Sequence, residues 1–305
     1  MLLEDLQLFV RVADCGSITA AAAELELSAA AASAAIKRLE KQLDTLLFVR
    51  STRNLRLTAA GERYLIHCRN ALEQLCQAER ALQEEKGEVA GTLAIAVSSD
   101  FGRNLFLPWL DTFLARHPKL EVRLQLGDQL SSFYRDQLDV ALRYGKPQDS
   151  SEVAFKLCSL RRQLCASADY LARHGWPQTP GELSLHECLL YKRGERTHDL
   201  WHFWRDGQEH KVRVSGRRSS NDADLARRWA VAGHGLVYKS RLDLAEDMIA
   251  GRLLPLLPDF DGEPLELYML CPGRQHLSPA ILLLRDFLRE RITEQLARLE
   301  TMPGK

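Results

Sequence analysis

No stretch of the chain approaches the ~20 consecutive apolar residues of a membrane-spanning helix. The opening MLLEDLQLFVRV sets acids among its leucines and has no cationic start before a long apolar core, so no secretory signal is expected. The seven cysteines (Cys15, Cys68, Cys76, Cys158, Cys165, Cys188 and Cys271) are odd in number, scattered and without a CxxC pair. That pattern argues against a disulfide framework and against a zinc site. Reduced thiols, a cytoplasmic location and no metal are the expectation. A P-loop, an HExxH pair, a GxSxG elbow and a GxGxxG turn after a strand are all missing, so neither a cofactor nor catalysis is expected. The only histidines at helical spacing, His198 and His202, read as exposed helix residues. An excess of charge is missing too, since 41 Lys and Arg balance 41 Asp and Glu. A neutral total leaves nucleic-acid binding open, because the placement of the cations decides it.

What is present is 305 residues, 46% hydrophobic and 27% charged, which is a globular composition long enough for two or three domains. Leu3, Leu6, Phe9, Val10 and Ala13 share one helical face. Gly16 ends that helix and Ser17 caps a second, over 18–25. Glu26 and Leu27 make a turn, and Ser28 caps a third helix reaching about Leu43, with Ala32, Ile36, Leu39 and Leu43 inward. Two helices across so short a turn form a helix-turn-helix, whose second helix enters a major groove. Residues 46–57, LLFVRSTRNLRL, alternate apolar and basic residues and read as a two-stranded wing. Between Ser33 and Arg63 seven cations face three acids, a local footprint for phosphate on a neutral chain.

These residues resemble the N-terminal domain of the LysR-type transcriptional regulators. The match runs through Leu6, Phe9, Val12, Ala13, Gly16, Ser17, Thr19, Ala20, Ala21, Leu25 and Ser28, then Ile36–Glu40, Leu47–Phe48, Arg50 and the LTxAG of residues 57–61. The chain departs from that pattern where bases are read. Many members carry Ser-Gln at the start of the recognition helix; here residues 28–35 are SAAAASAA. Glutamine can bond adenine bidentately, whereas alanine can only touch a thymine methyl, so recognition must lean on methyls, groove shape and the wing. The candidate DNA-binding residues are Ser17, Thr19, Ser28, Ala29, Ala30, Ser33, Ala34, Lys37, Arg38, Arg50, Arg53 and Arg56. The partner is double-stranded promoter DNA.

Thr58 caps a long helix, in which Leu65, Cys68, Leu72, Leu75 and Leu82 recur at spacings of three and four, interrupted by Glu79. The resemblance implies that this helix pairs two subunits in a homodimer or homotetramer. Residues 87–91, GEVAG, break it and mark a boundary. Strands then alternate with helices: strand 92–97, helix 103–117, strand 121–126, helix 131–137 and strand 138–144, which argues for a parallel sheet with covering helices. A second unit follows, with strand 163–167, helix 168–174, strands 187–191 and 211–215, helix 222–232 and strand 236–239, before a returning strand 265–271 and a closing helix 279–296. The expected fold is thus α/β overall: a winged helix-turn-helix (1–58), a linker helix (59–87) and a two-lobed effector domain (88–305) resembling periplasmic binding proteins. Lobe I is expected over about 91–161 and 267–300, and lobe II over about 162–266.

Ligands of open α/β sheets sit beyond the carboxyl ends of strands, near helix N-termini. That rule selects Ser98, Ser99, Asp100, Gly127, Asp128, Gln129, Tyr144, Ser167, Asn221 and Asp222 for a small-molecule effector, although ordinary helix capping suits the same residues. Asp100 and Asp128 would repel an anion unless Arg143 or Lys192 paired with them. The cluster Trp201-His202-Phe203-Trp204 reads as packing. The function expected is a sequence-specific regulator whose effector closes two lobes and changes the geometry of bound DNA. Alternatives are a redox-sensing regulator, for which Cys165 and Cys188 are the second-lobe cysteines, or a binding protein without DNA function.

Overall fold

A computed structural model describes residues 2–50, 55–84, 89–128, 133, 136, 138–147, 152–193 and 196–301; the side chains of residues 50, 73, 76–84 and 275 are outside that description. The chain divides into two compact units, Met1–Gly87 and Glu88–Lys305.

In the first unit, α1 (Leu3–Cys15), α2 (Ile18–Glu24) and α3 (Ala29–Gln42) precede strands β1 (Phe48–Arg50) and β2 (Leu55–Leu57) and helix α4 (Ala59–Glu84). Their joints follow from single residues. Gly16 ends α1 at φ 61°, a left-handed conformation that glycine adopts without a Cβ penalty. The Ser17 and Ser28 hydroxyls accept from the third amides of the next helices, at 3.3 and 3.1 Å. Strands β1 and β2 pair antiparallel, with Phe48 opposite Leu57. The core joins Leu6, Phe9 and Val10 of α1 to Ala21, Ala32, Ile36, Leu39, Leu47 and Phe48.

The second unit begins with β3 (Gly91–Val97), α5 (Ser99–Phe101), a π-helical turn at Gly102–Phe106, and α6 (Leu107–Arg116). The helical run thus starts four residues earlier than the sequence suggests, and Ser99 and Asp100 belong to a helix rather than to a loop. Then come β4 (Leu120–Leu126), β5 (Val140–Tyr144), β6 (Val153–Ala166) and α7 (Ala168–His174). The helix expected over 131–137 lies largely outside the described residues. Strands β7 (Leu190–Arg193), β8 (Arg196–Thr197), β9 (Leu200–Arg205), β10 (Gln208–Arg213) and β11 (Ser219–Ser220) lead to α8 (Ala223–Val231) and β12 (Val237–Ser240). The chain closes with α9 (Ala245–Ile249), β13 (Leu254–Pro255), β14 (Asp261–Gly262), β15 (Pro264–Cys271) and α10 (Pro279–Glu300).

The main sheet has the order β12-β6-β15-β5-β3-β4, with β13 also on β6. It is mixed rather than parallel: β3 runs parallel to β4 and β5, but β15 runs antiparallel to both β5 and β6. The 14-residue β6 pairs with β15 along residues 153–161 and with β12 along 162–165, so one strand carries the chain from lobe I to lobe II. The sequence suggests only its last four residues, 163–166, where burial becomes near-continuous; the ten before them mostly alternate exposed with half-buried or buried residues. Lobe I packs β3, β5, α6 and α10 around Ile95, Phe106, Leu142, Met269 and Leu284. Lobe II packs Leu164, Tyr170, Trp201, Phe203 and Tyr238 together. Helix α10 fastens to α9 at its far end, where Gln295 donates to Glu246 at 2.8 Å.

His198 and His202 are not on a helix. β9 alternates buried Trp201 and Phe203 with partly exposed His202 and Trp204, the period-2 pattern of a strand. His202 bonds Glu209 across the β9–β10 hairpin at 2.7 Å, and His198 stacks on Tyr191.

Candidate DNA-binding surface and effector cleft

Helix α3 turns Ala32, Ala35, Ile36 and Leu39 inward. Ala30, Ala34, Lys37 and Lys41, at spacings of four and three, form the opposite, exposed stripe. Its outward chemistry is therefore methyl groups in the N-terminal half and ammonium groups in the C-terminal half. Ala29, Thr19, Ser28 and Arg56 are also exposed, while Ser17 and Ser33 are half-buried. Arg38 is spoken for: its guanidinium pairs with Asp5, a carboxylate only 2% exposed on α1, and Asp5 raises its pKa through that bond. It ties α3 to α1 while its side chain stays about half exposed. The Arg50 side chain and all of Arg53 lie outside the described residues.

The wing is pinned to the recognition helix by Glu40, whose Oε1 accepts from the amides of Leu47 (2.8 Å) and Phe48 (3.0 Å). Thr58 Oγ1 donates to the Leu46 carbonyl at 2.8 Å and accepts from the Gly61 amide at 2.9 Å. A Cβ on Gly61 would stand 2.2 Å from the Leu47 carbonyl oxygen, so the wing approaches α4 as closely as only glycine allows. The Glu of IxxLE and the Gly of LTxAG thus have a physical role in holding the wing.

The predicted dimer seam divides. Cys68 is 3% exposed in the N-terminal core, with Leu65 and Leu72 packed against the same cluster. Cys68 thus belongs to the core of its own domain, whereas Leu65 and Leu72 touch that core and stay partly exposed. Leu75 is 48% exposed. Leu82 has no described side chain.

In the second unit four candidate effector residues, Asp100, Asp128, Tyr144 and Asp222, make contacts from one lobe to the other. Asp100 is 1% exposed and lies between two cations of lobe II, Lys239 and Arg227 (Arg227 Nε to Oδ1, 2.9 Å). Burial alone would lower Lys239, but the Asp100 and Asp243 carboxylates outweigh it and keep the ammonium charged. Arg227 also bonds Asp224 at 2.8 Å and reaches Asp247. Burial opposes charge on Asp224, yet bonds from Arg228, Arg227 and Asn104 hold its pKa down to about 2. Asp100 is thus an ion-pair partner across the lobes, and the cations beside it are Arg227 and Lys239. Tyr144 donates to Asp243 at 2.5 Å and accepts from Ser240 at 3.1 Å.

The remaining candidates sort by position. Ser167 Oγ accepts from the Tyr170 amide and caps α7; Asp222 Oδ1 accepts from the Asp224 amide and caps α8, and Asp222 pairs with Arg103 at 2.8 Å. Both do the capping work that competed with ligand binding in the sequence. Gly127 and Asn221 are exposed, and Gln129 lies outside the described residues. Asp128 accepts from the Ser99 amide, the Ser99 hydroxyl and the Ala223 amide, so it touches both lobes. The Ser98 hydroxyl is buried and has no partner among the described residues. Sequence reasoning misses Arg103, Arg227 and Lys239, because nothing in their spacing marks them. The π-helical turn aims Arg103 and Asn104 at Asp222 and Asp224.

Cys165 and Cys188 are fully buried, in different apolar clusters. Burial raises both thiols, Cys188 to about 12, which keeps them protonated and poorly nucleophilic. This geometry speaks against a redox pair.

Residues 3–62 match the model of the bacterial regulatory helix-turn-helix protein, lysR family, and residues 86–293 match that of the LysR substrate binding domain. The chain is 33% identical over 262 residues to the HTH-type transcriptional activator TtdR of Escherichia coli K12, covering 85% of this chain and 84% of TtdR. It is 30% identical over 304 residues to the transcriptional activator AaeR of the same strain, covering 99% and 98%. Among solved structures it resembles full-length AphB, a Vibrio cholerae virulence activator of the LTTR family (TM-score 0.60, 27% identity, 94% and 98% covered). It also resembles CrgA, a LysR-type regulator of Neisseria meningitidis (TM-score 0.59, 28% identity, 96% and 98% covered).

Proposed function

Since the chain belongs to the LysR family of bacterial transcriptional regulators, a DNA-binding regulator with an effector-binding domain, we propose how its own residues do that work. The exposed α3 stripe of Ala30, Ala34, Lys37 and Lys41 enters a major groove of promoter DNA, with its ammonium groups on phosphates and its methyls on base edges. Arg56, on the outer side of the wing, reaches the neighbouring backbone or minor groove. Residues 1–58 act as the DNA-binding head, 59–87 as the pairing helix of a homodimer or homotetramer, and 88–305 as the sensor. A small effector enters between the lobes, near Ser98, and changes how two heads sit on DNA. No helix among the described residues is long and apolar enough to cross a membrane. The relatives are regulators, and the proposal includes no catalytic step.

The observation that carries this reading is the outward face of α3, cationic at one end and free of any buried partner. Binding to a selected operator should weaken steeply with salt. Lys37→Ala should lower affinity alike on specific and unrelated duplexes and reduce the log–log salt slope by about 1. Fluorescence anisotropy at several salt concentrations checks it. An unchanged slope would remove Lys37 from the interface.

A further inference from the structure

We propose that Asp128 is a built-in ligand of the interlobe cleft: its carboxylate occupies the position a free carboxylate would take between the first turns of α5 and α8, and so latches the lobes together. The inference rests on the sensor reading above for its consequence on DNA, but not for the latch itself.

Asp128 follows β4 of lobe I. Its Oδ1 accepts from the Ser99 amide at 3.0 Å. Its Oδ2 accepts from the Ser99 hydroxyl and, at 2.7 Å, from the Ala223 amide at the start of α8 in lobe II. One carboxylate therefore gathers three donors from two lobes. The two amides are first-turn helix amides, which have no partner within their own helix. The cap of α8, Asp222, does not serve Ala223, because its Oδ1 is spent on the Asp224 amide at 3.0 Å. Without Asp128 the Ala223 amide, on a residue 7% exposed, loses its acceptor. Charge-assisted bonds of this kind are the stronger class, and here they bridge two lobes that also meet through ion pairs and through the Tyr144–Asp243 and Asn104–Asp224 bonds. Those pairs, Arg103 with Asp222 and Asp100 with Lys239 and Arg227, set the lobes at the spacing the Asp128 carboxylate spans.

The chemistry defines the competitor. Whatever displaces Asp128 must offer two acceptor oxygens on one small anionic group, as a carboxylate does. The Ser98 hydroxyl, one residue upstream of Ser99 and buried without a partner, is a further donor in the same turn. An effector carboxylate would then open the latch by exchange and not simply add to an empty cleft.

Chemical rescue tests this on the full-length protein. In Asp128→Ala, amide hydrogen exchange over residues 98–104 and 222–231 should speed up by about tenfold or more relative to wild type. Sodium acetate at tens of millimolar should restore protection, and sodium chloride at equal ionic strength should not. Wild type should show no gain in protection with acetate. Equal exchange in the two proteins, or equal effects of acetate and chloride on the variant, overturns the proposal. If Asp128→Ala does not fold, Asp128→Asn carries the test. Its amide keeps the size but places a donor against donors, so exchange in both segments should again rise, and wild-type protection would overturn the latch. The sensor reading fails separately, if the latch opens in the variant while its footprint on a selected operator stays that of wild type.

Discussion

Gly61 shows what one residue settles in the N-terminal unit. A methyl there would meet the Leu47 carbonyl at 2.2 Å, against backbone that cannot swing away. Gly61→Ala should cost about 1–3 kcal/mol, the range for forced overpacking, and loosen the wing before it unfolds the helices. Urea denaturation gives the stability, and a variant as stable as wild type would mean the wing sits farther from α4. Lys37 and Arg38 are exposed neighbours with different partners: Lys37 lies on the face of α3 opposite the core, whereas Arg38 pairs with Asp5. Sequence lists both as basic residues on a recognition helix and cannot separate them, because the buried acid that claims Arg38 lies 33 positions away.

Among elements, α3 is the most informative. Its inward face was legible from Ala32, Ile36 and Leu39 at helical spacing, and its alanine stripe from the run of residues 29–35. The stripe has a consequence at the level of DNA. Where Ala30 or Ala34 touches a thymine methyl, replacing that thymine with deoxyuridine should weaken binding by about 0.8 kcal/mol, roughly fourfold, per contact. Competition binding with substituted operators measures it, and uniform affinity across them would rule out methyl reading. Helix α4 was legible as a helix with a heptad seam, but not as to what the seam meets. Leu65, Cys68 and Leu72 have the spacing of a dimer interface, yet Cys68 is buried in its own domain's core and the two leucines are partly buried against it. Periodicity reports which face is apolar, not which apolar surface covers it.

In the sensor unit, carboxylates couple stability to pH. Glu263 is lowered to about 2 by its bond from His198, with Arg162 adding to it, and Asp224 is lowered to about 2 by the arginines and Asn104 that outweigh burial. Both pKa values lie below those of the unfolded chain, so both groups stabilise the fold above pH ~4, and that contribution is lost as pH falls from ~4 through 2. Asp243 acts in the opposite sense: burial raises it to about 7, so its contribution is present below ~4 and is lost as pH rises through 7. Urea midpoints for this unit should therefore fall between pH 4 and 2. Asp224→Asn should flatten that fall, and an unflattened one would show that Asp224 is not held down by its partners. Local sequence signals reach this scale poorly. β6 was legible only over residues 163–166, because only there are consecutive residues buried on both faces.

The sequence by itself determined that a capped helix pair, a basic wing, a long helix and two α/β lobes follow one another, and that they belong to a regulator. Caps, periodicity and turn residues act over a few positions, so they can be read from neighbours alone. Tertiary structure decided what those residues do once folded. It placed Cys68 of the seam in the core of its own domain, and paired Arg38 with Asp5. It set Asp100 between Lys239 and Arg227, and brought Asp128 onto the Ala223 amide 95 residues away. Each outcome depends on which buried charge or unpaired amide lies opposite, and that partner comes from a distant part of the chain.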